Sequence, residues 1–163
     1  MIMLKQLRAV LAISLSVACS GSTQKLYVAD PAPTVLHPGT LAHLGPAPFE
    51  VTSALSIRLV SAELVNVTPG LETVSIVALN GSENGGFSVG FGYGPVDARL
   101  KVHPVDSVAL TKDNSEQWQL IATVRASAPG NYHVGGMKVV SMVNGHRDEE
   151  TFPLDTDLAV QAP

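Results

Sequence analysis

Cysteine is almost missing from this chain: Cys19 is the only one in 163 residues. No disulfide can close within the molecule, so the fold rests on packing alone. Charge is also scarce, with Asp, Glu, Lys and Arg together at 15% against about 25% in an ordinary soluble domain. The ten basic residues are scattered, which excludes the clustered Lys and Arg that neutralise phosphates, and with it nucleic acid as a partner. No polybasic run marks a surface for anionic lipid. Residues 9–18 form an uncharged, mostly apolar run far short of the ~20 residues that span a bilayer. Beyond this run no stretch keeps a helical period, which argues against a helical fold.

What is present begins with a leader. Lys5 and Arg8 precede the apolar run 9–18, and small residues follow it, the three parts of a secretory signal over 1–18. Its removal leaves one domain's worth of chain. Lys5 and Arg8 leave with it, so eight basic residues remain against fourteen acidic ones, a net charge of −6.

The junction Leu15-Ser16-Val17-Ala18-Cys19-Ser20 resembles the lipobox of bacterial lipoproteins. In that family, cleavage falls before a cysteine that carries a thioether-linked diacylglycerol. The resemblance implies lipidation of Cys19 and an extracytoplasmic protein anchored to a membrane. Ser16 stands where the family prefers leucine, and Leu15 lies one place too early. Ordinary cleavage after Ser16-Val17-Ala18 is the alternative, and would release a soluble periplasmic or secreted protein.

Residues 19–48 contain Pro31, Pro33, Pro38, Pro46 and Pro48 without a sustained apolar period, which reads as a tether with one possible edge strand at Leu26-Tyr27-Val28. From Phe49 the two-residue period of strands takes over, defining a domain over 49–163. Apolar positions alternate at Leu55, Ile57 and Leu59; at Val74, Ile76 and Ala78; at Phe87, Val89, Phe91 and Tyr93; at Val96, Ala98, Leu100 and Val102; and at Trp118, Leu120, Ala122 and Val124. In the last run Gln117, Gln119, Thr123 and Arg125 take the polar side. Turn dipeptides separate these runs: Pro69-Gly70, Asn80-Gly81, Gly94-Pro95, Asp113-Asn114, Pro129-Gly130 and Asn144-Gly145. The last predicts a hairpin, since Asn-Gly accepts the positive φ angles of a type I′ turn. Strands without helices predict an all-β sandwich or barrel.

Ala128-Pro129-Gly130-Asn131-Tyr132-His133-Val134 resembles the corner before strand F of immunoglobulin-like domains. The resemblance implies a single immunoglobulin-like antiparallel β-sandwich of seven or eight strands. Gly130 and Tyr132 would form its tyrosine corner, with the hydroxyl bonded to backbone upstream. Val134 stands where antibody domains have cysteine.

Chemistry-bearing patterns are weak. Gly86-Phe87-Ser88-Val89-Gly90 matches the nucleophile elbow of α/β-hydrolases, with Asp97, His103, Asp106 and His133 downstream, but it lies inside an alternating strand rather than at a strand-to-helix turn. His37, His43, His103, His133 and His146 show no metal-ligand spacing, and Asp155-Thr156-Asp157 lacks the remaining oxygens of a calcium loop. Asp148-Glu149-Glu150 reads as a solvated guard of a sheet edge. No cofactor or metal is expected. The remaining signal is Ser88, Gly90, Gly92 and Gly94, a face almost free of side chains, where another backbone comes close: a binding partner or the tether itself.

The expected function is a non-catalytic sandwich module that binds an envelope protein, a polysaccharide or a subunit of a larger envelope assembly. A small hydrolase using Ser88, or a metal-dependent enzyme assembled from the dispersed His and Asp, is the alternative.

Overall fold

Alternating side chains and glycine-bearing turns build two antiparallel sheets packed face to face. The structure is a computed structural model, and it describes residues 36–45, 49–51, 56–86, 92–94 and 96–163. Its strands are β1 (Leu41–Leu44), β2 (Ile57–Val67), β3 (Leu71–Asn80), β4 (Gly92–Tyr93), β5 (Val102–His103), β6 (Ala109–Leu110), β7 (Trp118–Ala126), β8 (Gly130–Val143) and β9 (His146–Val160). One sheet has the order β4-β1-β7-β3-β5, the other β6-β2-β8-β9. The chain therefore crosses between sheets from β1 to β2, from β2 to β3, from β5 to β6, from β6 to β7 and from β7 to β8, while β8 and β9 form a hairpin. Leu36 adds a parallel bridge to Val160.

Between the sheets lie Leu59, Leu110, Leu120, Ala122, Val124, Val134, Met137, Val139 and Leu158, all buried. Each large aliphatic side chain removed from water in this way contributes roughly 1.5–3 kcal/mol. The β8–β9 turn has Asn144 at φ 51° and Gly145 at φ 81°, the pair of positive angles that a type I′ hairpin requires.

Three local expectations are corrected. Residues 36–44, assigned above to the tether, lie in the sandwich, with Leu36, Ala42 and Leu44 buried. The four residues of β1 are too few to show a period, and β1 is specified by its pairing with β7. Of the expected run 96–102 only Val102 is in a strand, because the Asp97 carboxylate accepts the Arg99 backbone N–H at 2.9 Å and turns the chain locally. The Arg99 hydrogen bonds hold that carboxyl down at about 2. Asn80-Gly81 ends β3 as a turn dipeptide should: Asn80 caps a single helical turn, α1 (Gly81–Asn84), by accepting the Ser82 N–H. Finally, β7 is central in its sheet and covered on both sides, so Gln119 and Thr123 are buried with Ile121 instead of facing water.

Candidate functional site

The sandwich is open along one side. β2 and β3 follow each other in the chain, joined by Thr68-Pro69-Gly70, yet they lie in different sheets. β6 covers only Ile57 and Arg58 of β2, and β5 covers only Ala78 and Leu79 of β3. Among the described residues, β2 from Val60 onward and residues 71–77 of β3 have no strand on their outer sides.

A bulge interrupts each of these borders. Leu59 pairs with Ser141 and Ser61 with Val140, so Val60 is the extra residue on β2. Thr73 pairs with Val124 and Ser75 with Thr123, so Val74 is the extra residue on β3. Bulges re-aim side chains, and these two valines are 40% and 44% exposed. Between the borders runs a groove of about 490 Å³, with Val60, Ala62, Leu64, Ile76, Pro104 and Val105 as its apolar lining.

The groove is fixed at both ends. At one end stands the 3-10 turn Val105–Ser107, where the Ser107 hydroxyl donates to the Pro104 carbonyl at 2.7 Å. The Leu59 N–H donates to the Val108 carbonyl at 3.0 Å and ties this segment to β2. At the other end the Tyr132 ring lies against Gly70, whose φ is +92°. The Tyr132 hydroxyl donates to the Ala128 carbonyl at 2.8 Å, and Thr68 accepts the His133 backbone N–H at 2.9 Å on its hydroxyl oxygen. The turn joining the two open strands is thus pinned to β8.

The rim of the groove is acidic. Glu63 and Asp106 both border it. Lys138 on β8 pairs with Glu63, and that hydrogen bond pushes the Lys138 ammonium further up. Asp106 is exposed on the 3-10 turn.

The residues singled out by sequence are distributed differently. Gly130 and Tyr132 stand at the β7–β8 crossing, with the tyrosine ring also against Gly130. Gly92 and Gly94 lie at the opposite border of the five-stranded sheet from β3: Gly92 pairs with His43, and the Gly94 N–H donates to the Leu41 carbonyl at 2.8 Å. Ser88, Gly90 and Cys19 lie outside the described residues, as do the leader and the 26–28 segment.

The histidines stand apart. His103 Nε2 is 2.6 Å from Glu83, whose carboxyl this bond holds below its usual range. His133 Nδ1 is 2.8 Å from Asp157, and its Nε2 is 3.8 Å from Asp155. His43 is half-buried, and burial lowers its pKa. Its Nδ1 and the hydroxyl of its cross-strand neighbour Thr123 have no hydrogen-bond partner. His37 Nδ1 is 3.3 Å from the Gln161 carbonyl oxygen, and His146 is exposed at the β8–β9 hairpin. Among the described residues, no three His, Cys, Asp or Glu side chains converge to hold a metal.

Sequence reading missed the groove. Leu59-Val60 breaks the alternation and was the one available signal. Val74 keeps the alternation with Ile76 and Ala78, and was assigned to the apolar face, but the bulge turns it outward. Compared with protein-family models, curated proteins and solved structures, the chain gives no match.

Proposed function

We propose that this chain is an exported, non-catalytic interaction module, held to a membrane by lipid on Cys19, that binds an envelope protein or a polysaccharide through the open side of its sandwich. The carrying observation is the groove, lined by six apolar and four polar residues, between two sheet borders that no strand closes among the described residues. Apolar surface concentrated in a groove with a polar rim is characteristic of interaction sites. Among the described residues no helix is long and apolar enough to cross a membrane.

The immunoglobulin-like identity is part of the same proposal. β1-β7-β3 facing β2-β8-β9 has the order B-E-D facing C-F-G of that fold, and the Tyr132 bond to Ala128 occurs at the matching E–F crossing. The short strands β4, β5 and β6 all fall within the long connection between β3 and β7.

Anchoring and binding are tested together. Protein from membrane fractions should carry a diacylglyceryl adduct by intact mass, and Cys19→Ala should move it to the soluble fraction. Wild-type protein found wholly soluble with a free thiol would overturn the anchor. The tethered protein should retain a specific envelope component in affinity capture, and retention of none would overturn the module reading.

A further inference from the structure

We propose that the groove takes an extended peptide of a partner protein, which adds to the outer border of β2 as a new strand. This rests on the module reading and names the partner's chemistry. Residues 61–67 of β2 present backbone donors and acceptors on a side where the described residues place no strand. Such groups are obligatory hydrogen-bonding groups that an added strand satisfies in register. The groove beside them is apolar, with Ala62 and Leu64 two residues apart along β2 and Ile76 across from them. A strand laid on this border sends every second side chain toward that floor.

Charge selects the occupant. The chain carries a net charge of −4, and the groove ends at exposed Asp106, the lining acid that Lys138 does not neutralise, since Lys138 pairs with Glu63. A second copy would bring acid against acid, whereas an apolar strand with basic ends meets complementary charge. A polysaccharide's hydroxyls can bond single backbone groups but offer no ladder in register with the border, so the peptide is the better match. On the far border of the same sheet, Pro153 removes a donor from β9 and Asp155 turns the strand at φ 42°, so the row an added strand would pair with is interrupted.

The probe is a blocked synthetic peptide, Lys-Val-Thr-Val-Thr-Val-Lys, titrated into the full mature chain, with a version bearing glutamate in place of both lysines as control. The lysine peptide should bind saturably and slow amide exchange at residues 61–67 about tenfold or more. The glutamate version, and the variants Val60→Lys and Asp106→Lys, should each bind about tenfold more weakly. Both variants change exposed or rim positions, and their melting temperatures should match wild type. Absence of binding would overturn the proposal, as would protection confined to β9 or binding indifferent to both variants. Protection, without peptide, of the amides of 61–67 that point away from β8 would also overturn it, the occupant then being a second copy if sedimentation shows a dimer and the chain's own segment if it shows a monomer. Capture of an envelope component without peptide binding would remove strand addition and leave the module reading. Peptide binding without any envelope partner would remove the module reading alone.

Discussion

The two borders of the four-stranded sheet are built from opposite materials. β9 is fifteen residues long and bears Asp148, Glu149, Glu150, Asp155 and Asp157, a proline at 153, and a kink where Asp155 adopts φ 42°. Each feature discourages another strand from pairing. β2, at the other side, leaves most of its length uncovered and turns Val60 outward at a bulge, beside a second open border in β3 that does the same with Val74. An exposed apolar edge is an aggregation hazard, and the chain removes that hazard on one side while keeping it on the other. A border left apolar beside one so heavily charged is more economically explained by use than by neglect.

The largest effect that would sharpen this contrast lies where the open strands are joined. Tyr132 covers Gly70 in the turn between β2 and β3 and is 7% exposed. Tyr132→Ala should lose about 3–5 kcal/mol in chemical denaturation through the cavity it leaves. Tyr132→Phe keeps the ring, removes the bond to Ala128, and should lose on the order of 1 kcal/mol. A Tyr132→Ala variant as stable as wild type would mean that the turn is held some other way and that the groove owes nothing to this corner.

A pair of substitutions then compares an interior position of the same sheet, on β8, with the open border. Beside the β9 kink, a Cβ at Gly136 would stand 2.8 Å from the Phe152 carbonyl oxygen and 3.1 Å from Thr151 Cγ2. Gly136→Ala must therefore move backbone, at a cost of about 1–3 kcal/mol. Val60→Thr on the open border changes a side chain already 40% exposed and should stay within about 0.5 kcal/mol of wild type. Equal losses at the two positions would erase the distinction between the packed interior of the sheet and its free border.

The legible part of this molecule is the part set by neighbours in sequence. The all-β class follows from alternation at 57–59 and 118–124, and the β8–β9 hairpin from Asn144-Gly145, because period and turn chemistry act over a few residues. The Tyr132 bond spans four residues and is equally local. β1 was illegible, since its identity comes from β7, about eighty residues away in the chain. So was the burial of Gln119 and Thr123, which depends on β7 being central. The groove was least legible of all: it exists because β5 and β6 are only two residues long and because bulges, which are properties of a strand pair, displace Val60 and Val74. A polar-apolar pattern along one strand carries no information about the length of its neighbour.

The smallest effect concerns what the β9 charges do to the fold. Partial burial, together with the nearby Asp148 carboxylate, raises the Glu150 carboxyl above its usual range. The folded protein therefore takes up this proton at a higher pH than the unfolded chain does. The resulting stability is fully present below the unfolded value and is lost as pH rises through the folded one. At neutral pH the ionised Glu150 opposes folding slightly. Glu150→Gln should thus raise the melting temperature a little at pH 7, and the gain should fade as the pH falls below the ordinary glutamate range. A variant that is less stable than wild type at pH 7 would show that Glu150 supports the fold instead. With the predicted sign, the acidic residue is kept at β9 against its own cost, which is what a guard against strand pairing requires and what the uncharged Val60 at the opposite border does not provide.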